Sequence, residues 1–195
     1  AYLLLGSTVS SGGTFPLSAS DAAFQGEAAG DGAGISVASA GDVDGDGLDD
    51  ILIGAGGSDD GGSNAGKTYI VHGATAALGG VFSLSYSDAA LTGDFDGGLS
   101  GRSVASAGDV DGDGLDDILV GAWANGAAGP SAGKAYLVLG ATLATTPVLS
   151  LASADAAFVG APSDYAGLSV ASAGDLDGDG LDDILVGAHT NNDNG

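Results

Sequence analysis

The sequence predicts an all-β protein made of repeated, four-stranded antiparallel units of the kind that form the blades of a β-propeller. Three observations support this prediction. One 17-residue string occurs three times, short runs rich in Val, Ile, Leu and Tyr alternate with Gly, Asp, Asn and Ser clusters, and no segment carries a sustained helical period of apolar residues. The 38 glycines suit tight turns and close sheet packing.

The recurring string defines the repeat. SVASAGDVDGDGLDDIL occupies Ser36–Leu52 and Ser103–Leu119, and it returns at Ser169–Leu185 with Leu176 in place of valine. The spacing of 67 and then 66 residues is long for one rung of a linear β-solenoid, so a propeller blade is favoured over that alternative. Matching the flanking segments as well divides the chain into the units 1–67, 68–134 and 135–195.

Each unit is expected to contain four short strands, which in the first complete copy are Ile35–Ala40, Ile51–Ala55, Thr68–His72 and Phe82–Tyr86. By the same pattern the chain opens on the third and fourth strands of a blade, at Tyr2–Leu5 and near Phe15–Leu17. It ends on the first and second strands of another, at Leu168–Ala173 and Ile184–Ala188. Two whole blades therefore lie between two complementary half-blades.

The half-blades indicate that the chain does not form a closed propeller by itself, because three blades are too few to close a ring. Unpaired strand edges invite pairing with another chain. The half-blades are therefore expected to associate head to tail with another copy of the chain, giving a closed ring or an open fibre. The alternative is that neighbouring repeats of a longer chain cover both edges.

An aspartate-rich loop in each repeat is the strongest functional signal. Positions 1, 3, 5 and 9 of the loop are aspartates, position 6 is a glycine that permits a sharp turn, and position 7 offers a backbone carbonyl. Ca²⁺ takes about six to eight oxygen ligands, and without a cation two carboxylates 4 Å apart repel by roughly 4 kcal/mol. Three Ca²⁺ sites are predicted, with the ligands Asp42, Asp44, Asp46, Leu48 and Asp50; Asp109, Asp111, Asp113, Leu115 and Asp117; and Asp175, Asp177, Asp179, Leu181 and Asp183.

These loops differ from an EF-hand, whose position 12 carries a bidentate glutamate where this chain has Ile53, Val120 and Val186. Mg²⁺ fits them less well because it prefers octahedral, water-rich sites. A solvated turn rich in Asp and Gly would explain one such loop but not three near-identical copies. Position 8 holds one more aspartate, which is expected to face solvent or to cap the following strand: Asp49, Asp116 and Asp182.

Composition excludes several classes of partner. With 26 acidic and 3 basic residues the formal net charge is −23, so nucleic acids and anionic membranes would repel the chain. The apolar fraction of 44% argues for a folded protein rather than a disordered acidic one. Cysteine is absent, so disulfides are excluded, and bound metal is a common substitute. No apolar run is long enough to insert into a membrane.

Two further signatures flank the aspartate loops, a Gly-x-Ser-Val at 34–37, 101–104 and 167–170 and a Gly-Ala at 54–55, 121–122 and 187–188. With the loops between them they resemble the FG-GAP repeat of integrin α-subunit β-propellers and many bacterial surface proteins. The chain departs from that pattern at the Phe, replaced by Ala33, Ser100 and Ala166, and at the Pro, replaced by Gly56, Trp123 and His189. The resemblance implies a propeller, calcium in the hairpin loops, and an adhesive or scaffolding role outside the cell.

Three functions follow from these features. The first is a secreted or cell-surface, calcium-binding structural or adhesive protein without catalysis. The second is a carbohydrate- or protein-binding propeller that uses the loops that vary between repeats, 58–64 and 123–131, with Trp123 stacking on a ligand. The third is a hydrolase-associated domain, which no catalytic motif in the sequence supports. His72 and His189 lack the pattern of a triad or a zinc site and are expected to have structural roles.

Overall fold

The structure, a computed structural model, describes residues 1–10 and 12–190 and is composed mainly of short strands. The strands of these residues are β1 Tyr2–Leu3, β2 Ala22–Gln25, β3 Ser36–Gly41, β4 Asp50–Ala55, β5 Lys67–Val71, β6 Gly80–Ser83, β7 Ala89–Thr92, β8 Ser103–Gly108, β9 Asp117–Ala122, β10 Lys134–Val138, β11 Val148–Ser150, β12 Ala156–Val159, β13 Ser169–Gly174 and β14 Asp183–Gly187. The helices are α1 Gly6–Val9, α2 Gly73–Ala76 and α3 Gly140–Thr145, none of them long and apolar enough to cross a membrane.

The strands form two whole blades and two half-blades, as the sequence predicts. One whole blade is the antiparallel sheet β3-β4-β5-β7, and the other is β8-β9-β10-β12. The hairpin β1-β2 supplies the outer pair of a blade at one end, and β13-β14 supplies the inner pair of a blade at the other. The first, second and third strands of the whole blades agree with the predicted ones to within one residue.

The predicted fourth strand is wrong in its position. The outer strand of the first whole blade is β7, and the segment Phe82–Tyr86 divides into the end of β6 and a 3₁₀ turn at Leu84–Tyr86. In the N-terminal half-blade the outer strand is likewise β2 rather than a strand near Phe15–Leu17. Both true strands are rich in alanine, which has a low strand propensity. Strand β7 is extended because it pairs with the buried β5, and β2 is extended because it pairs with β1 on one side and β6 on the other.

Strand β6 has a different role, since it leaves its own repeat and pairs in parallel with β2 of the preceding half-blade. The Phe82 ring then meets the Phe24 ring edge-on, with centroids 6.2 Å apart, and the side chain of Leu84 is fully buried. Strand β11 crosses in the same way and pairs in parallel with β7. Each crossing segment therefore adds a further strand to the blade before it and fastens consecutive repeats together.

The core lies between blades, because both faces of each central strand are covered. Along β4, Leu52 faces the second whole blade while Ile53 faces the N-terminal half-blade, and both are fully buried. Their cross-strand partners Ile70 and Tyr69 alternate in the same way. This two-sided burial explains why the second strand of each repeat is almost entirely apolar.

Backbone also approaches backbone closely between blades, and this requires glycine at one position of the repeat. A Cβ on Gly54 would lie 1.8 Å from the carbonyl oxygen of Gly101, and one on Gly121 would lie 2.0 Å from that of Gly167. Ser36 strengthens the first of these contacts by donating its hydroxyl to Gly101 O at 2.7 Å. The Gly-Ala signature therefore marks the point where the next repeat passes over the second strand.

Two lysines, the buried Lys67 and the half-buried Lys134, form ion pairs across the blade boundary. Lys67 Nζ, on β5, lies 2.7 Å from Glu27 Oε1, which follows the outer strand of the preceding half-blade, and 2.6 Å from Asp60 Oδ2. Lys134 Nζ, on β10, lies 3.3 Å from Asp94 Oδ2 at the equivalent place one blade later. These pairs hold the third strand of one blade to the outer edge of the blade before it.

Consecutive aspartate loops are joined by a pair of hydrogen bonds, which we call the inter-loop pair. The backbone N–H of Asp42 donates to Asp116 Oδ2 at 2.8 Å, and the N–H of Asp116 donates back to the Asp42 carbonyl at 3.0 Å. Asp109 and Asp182 repeat both bonds at 3.0 Å. The expectation that position 8 faces solvent or caps its own strand is therefore wrong for Asp116 and Asp182. It holds for the exposed Asp49.

The inter-loop pair generates a stability prediction. Asp116→Ala should lower the free energy of unfolding by about 1–2 kcal/mol in excess chelator, the range for a partly exposed hydrogen bond to a charged acceptor. Asp49→Ala removes the same group from the same position of the first loop but breaks no inter-loop pair among the described residues, and it should change stability little. Urea unfolding followed by circular dichroism measures both, and equal losses would contradict the role assigned to Asp116.

Candidate metal-binding loops

Each aspartate loop connects the first two strands of its blade, so the strand pair fixes where its carboxylates lie. A β-bulge precedes the loop in all three copies, at Ser39/Gly41, Ser106/Gly108 and Ser172/Gly174. In each bulge the serine hydroxyl accepts a hydrogen bond from the glycine N–H, for example at 3.2 Å between Gly41 N and Ser39 Oγ. The bulge turns the chain out of the sheet just before the first aspartate.

The aspartate at position 1 organises the turn through backbone N–H groups. Asp42 Oδ1 accepts from Gly45 N at 2.8 Å and from Asp46 N at 3.0 Å, while Oδ2 accepts from Gly47 N at 2.9 Å. Asp109 and Asp175 accept the equivalent three bonds at distances from 2.7 to 3.1 Å. These donors partly offset the negative charge and fold the loop around the carboxylate.

In the first two loops the aspartate at position 9 is the buried member, whereas Asp183 in the third loop is half-buried. Asp50 is 1% exposed and accepts from Val43 N at 3.0 Å and from Gly73 N at 2.7 Å. Asp117 is fully buried and accepts from Val110 N at 2.9 Å and Gly140 N at 3.0 Å. Burial raises the pKa of the Asp50 carboxyl, and it raises the pKa of Asp117 to about 6. Both carboxylates therefore sit where an ionised group is costly without a cation.

The structure brings most of the predicted ligands together. Three donor groups have their ligand atoms within 4.8 Å of one another, namely Asp42, Asp44 and Asp46; Asp109, Asp111 and Asp117; and Asp175, Asp177 and Asp183. Asp113 and Asp179 fall outside these groups, and their carboxylates accept from the N–H of Leu115 and Leu181 at 2.9 Å. Leu48 likewise donates its N–H to Asp46 at 2.8 Å, and the binding of an ion by the carbonyls of Leu48, Leu115 and Leu181 stays a prediction. All donors in these groups are oxygens, which suits Ca²⁺.

A histidine that follows β5, His72, places a nitrogen donor beside the first loop. Its sequence context predicted only a structural role for it. His72 Nδ1 lies 2.9 Å from Asp44 Oδ2, and Asp44, Asp50 and His72 form a further group with ligand atoms within 4.8 Å. Alignment of the repeats already distinguishes His72, because the equivalent residues of the other units are leucines, Leu5 and Leu139. The first loop is therefore chemically different from the second, which has Leu139 at this position.

An aromatic row begins at Trp123, in the variable loop 123–131, and continues through Tyr165 to His189. The rings of Trp123 and Tyr165 are 5.7 Å apart, and Tyr165 lies 5.1 Å from the exposed ring of His189. One side of the Trp123 ring is thus already in contact with protein. Ligand stacking on Trp123 stays a prediction.

The raised pKa of Asp117 generates a pH prediction for the metal-free protein. The folded state holds its proton up to about pH 6, whereas the unfolded chain releases it near 3.8. The stabilisation is complete below 3.8 and is lost as the pH rises through about 6. Urea unfolding in chelator should therefore show Asp117→Asn flattening the profile across this window. Asp113→Asn removes the same formal charge from the exposed part of the loop and serves as the control. Parallel profiles for Asp117→Asn and wild type would contradict the assignment.

Comparison with known proteins agrees with the repeat seen in the fold. The sequence profile of the FG-GAP repeat matches residues 33–71, 100–138 and 166–195. Integrin alpha-5 of Xenopus laevis is 35% identical over 170 residues, which cover 85% of this chain and 15% of the integrin. This chain therefore spans a small part of that relative's length. The three matched segments each contain one aspartate loop between its two strands, and together with the blades described above they show that the chain belongs to the FG-GAP repeat family.

Proposed function

We propose that this chain is a calcium-binding, non-catalytic module of an extracellular adhesive or structural protein, with one Ca²⁺ in each aspartate loop and repeat units at 1–67, 68–134 and 135–195. The observation that carries the proposal is that each of the three loops brings the ligand atoms of three carboxylates within 4.8 Å of one another. Similarity to an integrin α subunit supports an adhesive or ligand-binding role at a cell surface.

The proposed ligands in each loop are the carboxylates at positions 1, 3, 5 and 9 and the carbonyl at position 7. In the second loop these are Asp109, Asp111, Asp113, Leu115 and Asp117. The position-1 carboxylate is already oriented by three N–H donors, and the position-9 carboxylate is held by two. Such a preorganised oxygen shell loses little conformational entropy when Ca²⁺ binds, and the ion would neutralise charge that the loop itself cannot.

Calcium removal is the direct test. Excess chelator should lower the melting temperature substantially, because the carboxylates then repel one another within each loop. Titration calorimetry should count three Ca²⁺ ions per wild-type chain with dissociation constants of about 10⁻⁴–10⁻³ M. Asp113→Ala should leave two sites of this affinity, whereas Asp49→Ala should leave three. A melting curve that chelator does not move would overturn the proposal.

The same proposal includes association through the half-blades. Leu185 on β14 is 57% exposed, although its counterparts Leu52 and Leu119 are fully buried. Val37 on β3 is 60% exposed, although its counterpart Val104 is 9% exposed. In the assembly, β14 of one copy pairs with β1 of another as β4 pairs with β5, and the added inner strands cover Val37.

Surface variants test this association. Leu185→Asp and Val37→Asp each place a charge on one of the two mating faces, so either should abolish calcium-dependent oligomers in analytical ultracentrifugation. Leu78→Asp alters an 84% exposed residue outside both faces and should leave the oligomers intact. A wild-type chain that stays monomeric with calcium would favour the alternative, in which neighbouring repeats of a longer chain cover both edges.

A further inference from the structure

We propose that the first aspartate loop also binds a divalent transition-metal ion, represented by Zn²⁺, through His72 Nδ1 together with the carboxylates of Asp44 and Asp50. The inference deepens the proposed cation-binding function, since it uses the same loop and shares two of its ligands. When the transition ion is available, it takes the place of Ca²⁺ in this loop alone.

The imidazole nitrogen points into the loop rather than to solvent. His72 follows β5 directly and precedes α2, and its Nδ1 lies 2.9 Å from Asp44 Oδ2. The ligand atoms of Asp44, Asp50 and His72 all lie within 4.8 Å of one another. One nitrogen and two carboxylate oxygens at this separation form a mixed donor set of the kind that binds Zn²⁺ in proteins.

The backbone on both sides of the imidazole is fixed. The N–H of His72 donates to Asp88 Oδ2 at 2.8 Å, and the N–H of Gly73 donates to the buried Asp50 at 2.7 Å. Asp88 is itself held by the Thr75 hydroxyl at 3.1 Å. Two independent anchors thus place the ring before any ion arrives, which reduces the entropy lost on binding.

A small cleft gives an ion access to this group. Its volume is about 150 Å³, and its walls include Asp44, His72 and Asp88 on one side and Leu143 and Pro147 from the next repeat on the other. The apolar walls lower the local dielectric around the donors, which strengthens their interaction with a cation. Asp88 Oδ1 lies 3.9 Å from His72 Nδ1, so a further carboxylate adds negative charge beside the donors and favours a cation there.

The second repeat provides an internal comparison. Its loop holds Asp117 through the N–H of Gly140 at 3.0 Å, as the first holds Asp50 through Gly73. The residue before Gly140 is Leu139, so the second loop has the same backbone anchor without an imidazole. Imidazole nitrogen suits Zn²⁺, Cu²⁺ and Ni²⁺, whereas Ca²⁺ prefers oxygen ligands. The ion preference of the two loops should therefore differ at this one side chain.

Zn²⁺ titration of the calcium-saturated chain tests the inference by calorimetry. Wild type should take up one Zn²⁺ per chain, H72L should take up none, and L139H should take up two because it places the missing imidazole beside the second loop. H189A removes the other histidine and should still take up one. Unchanged Zn²⁺ uptake in H72L would overturn the inference. If H72L does not fold, the absence of a second ion in L139H would overturn it instead.

The same samples separate this inference from the proposed function. Ca²⁺ binding to H72L reports on the second and third loops, which the substitution leaves intact. Loss of Ca²⁺ binding there with Zn²⁺ uptake that depends on His72 would refute the calcium module and support the imidazole site. Normal Ca²⁺ binding, together with Zn²⁺ uptake that is the same in wild type and H72L, would support the calcium module and refute the imidazole site.

Discussion

The structure depends on how each loop offsets the repulsion among its own aspartates. Backbone N–H groups supply the first part of the compensation, since Asp42 alone accepts three of them. They cannot supply all of it, because Asp50 and Asp117 remain buried carboxylates whose pKa values are raised by burial. A cation supplies a full positive charge where the backbone offers only dipoles, so an ion in the loop and a folded blade are favoured by the same carboxylates.

The loops also connect the blades to one another. Position 9 reaches forward to the first turn of the helix that follows the third strand, at Gly73 and Gly140. Position 8 reaches back to the loop of the preceding repeat. The second loop is therefore bonded both to its own blade and to the loop of the blade before it. In a repeat protein, stability is the sum of the stabilities of the units and of the interfaces between neighbours. The proposed metal sites therefore lie at the interfaces between neighbouring units.

The sequence was sufficient to predict the first three strands of each whole blade and the aspartate loop between the first two. The aspartate loops and the hairpins around them could be predicted because ligand spacing and strand pattern lie within about 20 residues, as in Ser36–Ala55. The outer strand could not, because Ala89–Thr92 is extended only by pairing with a buried neighbour. The partner of Asp116 lies 74 residues earlier, so only the assembled blades reveal it. Alignment of the repeats shows that His72 replaces a leucine, but a single histidine does not predict a metal site. The structure adds the missing observation, a distance of 2.9 Å between His72 Nδ1 and Asp44 Oδ2.

The departure from perfect repetition is where this chain can acquire individual chemistry. Backbone anchors at Gly73 and Gly140 are the same in both whole repeats, so the preceding side chain is presented to the loop by a fixed scaffold. Leucine there leaves a loop with oxygen donors only, whereas histidine adds a nitrogen without altering the strands or the turn. Because the fold is held by interactions that all copies share, one substitution can change the ligand set of one loop while the other loops keep the module folded. In a repeat protein, the stability of the fold is thus distributed over all copies, whereas the metal preference of one loop can be set by a single residue in one copy.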